Sequence, residues 1–412
     1  DDYVPTEGKH PELSLRLKQE SGLAPFLYVV TFIYVYSKHR TISVGVFLMF
    51  MYATISLFCV INYNASSHFW HFSFFSFLYL YIVILIFMKP FMKNRFVIHE
   101  NPLSSYNIYR TIAKVYIALA IFSSIVYFPI ALDSLRSSDL ADIYEVAHEE
   151  KEGNLFSKFT NLFFHVRYLG MVLFFSFLAK EKQSKIFLFL LGIAAFLPVI
   201  LATISLASRG GMVALFANFA IVYLMMKDIL PKYVKRTLII AVSIIIPLIL
   251  IYFIAVTVSR FEESSLNIDA GESMMYYLGH SMLTFNYGVM DTIQNYANGA
   301  YMFDCSSLKD IRFGTHFGTN FITFVGVLYL DFGLVGTVLV AIIFCSYFCK
   351  IGRRRYLDIP DIYLLLTYSM LIFNGVFVLG RGYGIQLLEA WIIYFLLKFI
   401  QRATIGRMHL RA

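Results

Sequence analysis

Four arginines, Arg209, Arg260, Arg312 and Arg381, stand near the ends of long apolar runs, on the side of a membrane where fixed cations are normally scarce. A guanidinium group offers five N–H donors in a planar fork, and that geometry suits phosphate oxygens. Arg209 lies in Ser208-Arg209-Gly210-Gly211, and Arg381 in Gly380-Arg381-Gly382-Tyr383-Gly384. Each is a glycine-punctuated turn between two apolar runs. The run starting near Gly210 would add the free N–H groups and positive dipole end of a helix, and glycine lets a ligand come close to the backbone. Such turns would cradle a diphosphate. The plainer alternative for each is an arginine that snorkels to the lipid headgroups.

Arg260 closes an apolar run and would serve equally well as an interfacial anchor. Arg312 and His316 fall in Arg312-Phe313-Gly314-Thr315-His316-Phe317-Gly318-Thr319-Asn320, a stretch whose glycines would let the backbone fold into a cavity. A histidine titrates near neutrality, so His316 is a candidate to take a hydroxyl proton, with His280 as the competing base. A hydrogen-bonded structural role is the alternative for both. Arg167, in His165-Val166-Arg167-Tyr168, sits about eight residues inside an apolar run. An ionised side chain at that depth needs water, a ligand or a partner acid such as Glu389. Arg209, Arg381, His316 and Arg312 are therefore the candidate catalytic residues. Arg167, Arg260, Asn320, Gly210, Tyr383 and His280 make up the candidate substrate-binding set.

Walker A, a GxGxxG turn after a strand, HExxH and the paired acids that hold Mg²⁺ do not occur, and no cofactor or metal site is expected. The energy for a group transfer would then come with the substrate. A lipid diphosphate glycoside meets this need, since its diphosphate is an activated leaving group and its tail requires an apolar surrounding.

The elements that must position these residues are membrane helices. Hydrophobic residues make up 59% of the 412 and charged residues 15%, at a mean hydropathy of +0.69, which is too apolar for a soluble domain with a polar shell. Eleven apolar runs are read, at 22–37, 41–62, 68–88, 112–132, 160–179, 185–207, 210–226, 237–258, 320–349, 361–380 and 386–400. Each approaches the roughly 20 residues that a helix needs to cross a bilayer. The alternation expected of a barrel strand is missing, so the predicted fold is all-α and polytopic.

Basic residues mark alternate loops: Lys38 and Arg40; Lys89, Lys93 and Arg95; Lys180, Lys182 and Lys185; Lys227 to Arg236; Lys350 to Arg355; and Lys398 to Arg411. These face the cytoplasm by the positive-inside rule, and the net charge of +8 is topological rather than a sign of nucleic-acid binding. Residues 1–21 read as a polar tail, 22–400 as a single membrane domain and 401–412 as a cytoplasmic tail. No small-residue cleavage site follows the first run, so it does not read as a signal peptide. Two loops are long enough for structure of their own. Residues 133–159 show an amphipathic helical pattern with a solvated acidic face, and 259–319 should form two short helices near 271–283 and 286–297 over the mouth of a cavity. Cys59, Cys345 and Cys349 fall in apolar runs, and no disulfide framework is implied.

Three stretches resemble the oligosaccharide repeat-unit polymerases, the Wzy-type family that builds O-antigen. They are Ser208-Arg209-Gly210 opening a run; Tyr277-Leu278-Gly279 leading to Phe285; and Thr319-Asn320-Phe321-Ile322-Thr323-Phe324 followed by Tyr329-Leu330-Asp331-Phe332-Gly333-Leu334-Val335-Gly336. The resemblance implies a metal-independent glycosyltransferase of the multispan, lipid-donor (GT-C-like) type in the bacterial inner membrane, with its active site facing the periplasm. Its partners would be an undecaprenyl-diphosphate-linked donor, a lipid-linked acceptor, membrane lipid and a chain-length regulator protein. Arg209, Arg381 and Arg312 would then neutralise the departing diphosphate. The O-antigen ligases are similar in the large loop but carry a His-Asn pair where this chain has Thr319-Asn320. A non-enzymatic exporter of lipid-linked sugar would also use an arginine-lined cavity.

Overall fold

The structure, a computed structural model, describes residues 11–65, 73–93, 96–98, 106–136, 155–180, 183–205, 209–244, 247, 251, 279–290, 296–303, 322–376 and 382–409. Helix dominates the described residues. In chain order the long helices are α1 Pro11–His39, α2 Val44–Ala65, α3 Phe74–Met88, α4 Tyr106–Arg136, α5 Leu155–Leu178, α6 Lys185–Ser205 and α7 Arg209–Met226. A helix over 232–244, α8, is followed by α9 Phe324–Gly352, α10 Ile359–Asn374 and α11 Tyr383–His409. Every apolar run read from the sequence overlaps one of these helices. Among the described residues six helices are long and apolar enough to cross a membrane: α2, α3, α4, α6, α9 and α11.

Large apolar side chains cover the outside of these helices. Ile125, Ile186 and Phe399 are 67%, 73% and 70% exposed, an arrangement that lipid stabilises and water does not. Several hydroxyls inside the apolar helices bond to their own backbone, as Thr54 does to Phe50 O at 2.9 Å and Ser176 to Val172 O at 2.7 Å, which satisfies these groups without water.

The chain forms two compact units, one from Asp1–Asn94, Gly271–Gly352 and Leu371–Ile385, the other from Arg95–Ala270, Arg353–Met370 and Gln386–Ala412. Within the first unit α9 departs from the straight span expected over 320–349. Gly333, at φ 67° and ψ −171°, breaks it into two arms. Along α3, Tyr79 meets Tyr329 and the Leu334 carbonyl, whereas Phe87 meets both Phe324 and Phe344. Contacts in that order require the arms to lie side by side, so the chain reverses at Gly333. The first arm, Phe324 to Phe332, is about 13 Å long and too short to cross a bilayer. It begins at Thr323, whose Oγ1 accepts the Gly326 N–H at 3.1 Å as an N-cap. Only glycine adopts the Gly333 backbone without strain, and a Cβ there would strike the Tyr296 ring at 2.6 Å.

In the second unit α4 and α6 run parallel, bonded at three levels: Tyr106 Oη to Gln183 at 2.9 Å, Tyr116 Oη to the Ala194 carbonyl at 3.4 Å and Ser134 Oγ to the Ser205 carbonyl at 3.5 Å. Helix α5 joins them where Gly170 leaves room for Tyr116, since a Cβ there would lie 2.0 Å from that ring. Lys180, Arg110 and Tyr106 gather at the starting end of α4 and α6. Ser134, Ser205 and the start of α7 lie towards the other end.

The expected loop helices are only partly visible. Residues 137–154 lie outside the described part, with α4 reaching Arg136 and α5 starting at Leu155. In the large loop the predicted break between 283 and 286 does not occur. Helix from 279 continues without interruption into a π-helix, Thr284–Val289, where Asn286 Oδ1 accepts the Ser73 N–H at 3.0 Å and ties the segment to the start of α3.

Candidate functional site

The reversal at Gly333 frees backbone groups that a continuous helix would use. The carbonyls of Leu330 and Asp331 instead accept the N–H groups of Ala297 and Asn298, both at 2.9 Å. The Asp331 carboxylate completes the join: Oδ1 accepts from Tyr301 N–H at 3.0 Å and Oδ2 from Met302 N–H at 2.8 Å. Asp331 is wholly buried, and backbone donors of this kind offset the loss of water around a carboxylate. Loop 296–303 is thus fastened to the apex of the hairpin by four backbone N–H groups.

That loop in turn holds the start of α11. Gly382 N–H donates to Tyr301 O at 3.1 Å and Gly384 N–H to Met302 O at 2.9 Å, so the residues whose amides serve Asp331 offer their carbonyls to the next turn. Gly382 has φ 89°, and a Cβ on Gly384 would lie 2.8 Å from Met302 O. Both glycines are required for this docking. Tyr383 between them is buried at the start of α11, within electrostatic reach of Asp331, with its side chain inside the protein rather than on an open face. Arg381 directly precedes this turn in the chain.

Arg381 itself, with Arg260, Arg312, His316 and Asn320, lies outside the described residues. The segment carrying Arg312, His316 and Asn320 is bracketed by described residues: Phe303, whose ring lies 3.0 Å from a Cβ built on Gly384, and Ile322, buried beside Gly326 of the first α9 arm.

His280, the competing base, is 5% exposed in the segment that Gly279 packs against Cys59 and Asn62 of α2. Burial lowers its pKa from 6.5 to about 4, which keeps the imidazole neutral and weakens it as a proton acceptor at neutral pH.

Two candidates belong to the second unit. Arg209 opens α7, and the two glycines after it have distinct roles. A Cβ on Gly210 would meet nothing within 4 Å, whereas one on Gly211 would lie 2.4 Å from Thr203 Oγ1. Gly211 packs α7 against α6; Gly210 faces open space. Arg167 shares one face of α5 with Phe163 and Gly170, both of which meet Tyr116. Its guanidinium donates to Tyr168 Oη at 3.0 Å and lies 4.9 Å from the centre of that ring. Tyr168 and Glu389 each act electrostatically on Tyr363.

One cluster was read from the sequence only as cytoplasmic charge. Lys398 Nζ contacts both Asp358 oxygens at 2.8 and 2.7 Å and Asp361 at 3.2 Å, while Arg354 bonds to Asp361 and, at 3.1 Å, to Tyr394 Oη. Burial alone would raise the Asp358 carboxyl, but the Lys398 ammonium holds it below its ordinary value. Asp358 also accepts the Asp361 N–H at 3.2 Å as a cap on α10. The available signal was the pair of acids three residues apart at the mouth of an apolar run. The cluster brings together basic residues of the 350–355 loop and the C-terminal run, as charge pairing between segments on one face of a membrane requires.

Among the described residues no three His, Cys, Asp or Glu side chains come together as a metal site. No known family, curated protein or solved structure matches the chain.

Proposed function

We propose that the protein is a glycosyltransferase with about eleven spans that lengthens a lipid-linked glycan, in the manner of an oligosaccharide repeat-unit polymerase at the periplasmic face of a bacterial inner membrane. The observation that supports this reading is the join described above. The stretch with the strongest family likeness, Tyr329 to Gly336, holds loop 296–303, and that loop holds the turn next to Arg381. Two stretches far apart in the chain, Tyr329 to Gly336 and the turn Gly382 to Gly384, are thereby joined through backbone hydrogen bonds, a join that would help to preorganise a cation carried beside that turn.

In this mechanism an acceptor hydroxyl attacks the anomeric carbon of the donor glycan. The bond from that carbon to the diphosphate oxygen breaks, and the proton passes to a base, for which His316 is the candidate. Arg209 and Arg381, with Arg312, balance the charge that builds on the departing diphosphate. Arg260, Asn320, Gly210 and Tyr383 border the substrate, and Arg167 meets it or steadies the bundle through Tyr168.

The test is incubation of the purified protein with a synthetic undecaprenyl diphosphate oligosaccharide. Laddered products are expected, insensitive to chelator and lost in Arg209→Ala and Arg381→Ala. Transfer only to lipid A core would indicate a ligase instead.

The reversal at Gly333 favours one other reading. Discontinuous helices recur at the binding sites of secondary carriers, so an exporter of lipid-linked sugar would also use this hairpin. For that reading the synthetic lipid would change sides in a sealed vesicle and remain chemically unaltered.

A further inference from the structure

The parallel helices α4 and α6 leave a groove along their exposed side. Its walls are Ile117, Ile121, Ile125 and Phe128 from α4 and Leu190, Ile193, Leu197 and Leu201 from α6, with a volume of about 380 Å³. Wall residues recur three or four apart on each helix, so each wall is a single helical stripe, and the parallel register keeps the two stripes opposite one another. Small residues make the floor. Ala120 and Ala194 are buried there, and the Ser124 hydroxyl is turned back onto the Ala120 carbonyl at 2.8 Å, leaving an apolar surface.

One end of this groove is cationic. A second hollow of about 340 Å³ shares Ile117 and Leu190 with the first and is lined by Arg110, Lys114 and Ser184 as well. Arg110 and Lys114 are one helical turn apart on the same face of α4. The Arg110 guanidinium lies 5.8 Å from the Phe187 ring centre and 6.0 Å from that of Tyr106, which steadies it at the groove mouth.

From Ile117 to Phe128 the apolar wall extends about 16 Å, close to half the thickness of the hydrocarbon core. A groove of one leaflet's depth with two cations at its mouth matches a single lipid with a negatively charged headgroup. The geometry points to a binding site for an anionic phospholipid, with its phosphate between Arg110, Lys114 and Ser184 and an acyl chain along the α4–α6 groove. This inference does not depend on the activity proposed above.

Native mass spectrometry of the full chain tests it, with phosphatidylglycerol, phosphatidylcholine and inorganic phosphate as probes. A basic side chain near anionic lipid is worth roughly fivefold in affinity, so Arg110→Gln with Lys114→Gln should lower the preference for phosphatidylglycerol over phosphatidylcholine by roughly thirtyfold. Both side chains are exposed, so the double variant should fold. Ser124→Leu, which narrows the groove without altering charge, should reduce retention of both lipids. A photoactivatable phosphatidylglycerol with its label in the acyl chain should mark peptides covering 117–128 and 190–201. An unchanged preference in the double variant, labelling confined to other helices, or displacement of the lipid by millimolar inorganic phosphate would each overturn the assignment, the last by showing a bare-anion site.

Discussion

Asp331 bonds to Tyr301 and Met302 through one carboxylate oxygen each, at 3.0 and 2.8 Å. Two donors depend on one buried side chain. Asp331→Ala should therefore leave both N–H groups unsatisfied, at about 1–3 kcal/mol each, with Asp331→Asn intermediate because it keeps one acceptor. Thermal unfolding in detergent and proteolysis within loop 296–303 report this directly. A melting temperature equal to that of the parent would show that the carboxylate does not hold the loop.

Gly333→Ala should cost about 1–3 kcal/mol from the backbone conformation, with a further loss from displacement of Tyr296. Gly382→Ala, at φ 89°, should be destabilising for the first reason. Chemical denaturation of each variant measures the two losses, and retention of full stability by Gly333→Ala would refute the reversal of α9.

The neighbouring glycines at the start of α7 should respond differently. Gly211→Ala drives a methyl towards Thr203, whose hydroxyl is already committed to the Val199 carbonyl at 2.7 Å, and should lower stability. Gly210→Ala should leave stability within about 1 kcal/mol of the parent. If a diphosphate approaches that open backbone, the second substitution should still raise KM. A Gly210→Ala enzyme with unaltered kinetics would remove Gly210 from the binding set.

His280 predicts an acid limb in the stability profile. Its folded pKa, about 4, lies below the ordinary 6.5, so the unfolded chain takes up a proton that the native protein refuses. The stabilising contribution is complete above pH 6.5 and is lost as pH falls towards 4. Melting temperatures of the parent and of His280→Gln across that range should converge on acidification, and parallel curves would show that His280 is not the group responsible.

The helices were legible because an apolar run of near-bilayer length has few other solutions, and each predicted run overlaps a helix. The reversal at Gly333 was not, since residues 324–352 are overwhelmingly apolar and their glycines are ordinary in a membrane helix. Its cause is tertiary: Ala297 and Asn298 replace the intrahelical donors. The lone Asp331 two residues before that glycine was the local clue. Burial of His280 was equally hidden, because it depends on α2, more than two hundred residues earlier in the chain. The burial of Tyr383 was hidden too, because it depends on how the turn Gly382 to Gly384 docks on loop 296–303. Of the arginines, Arg167 is described with its side chain and Arg209 by its backbone at the head of α7, while Arg381, Arg312 and Arg260 lie outside the described residues.

The hairpin within α9 also bears on how the chain is threaded during synthesis. At about 13 Å the first arm does not cross by itself, so it adds nothing to the number of crossings. The side on which Arg353, Arg354 and Arg355 emerge is decided by the arm after Gly333 alone. Lengthening or shortening the first arm should therefore disturb the fold locally without inverting the basic segments that follow it.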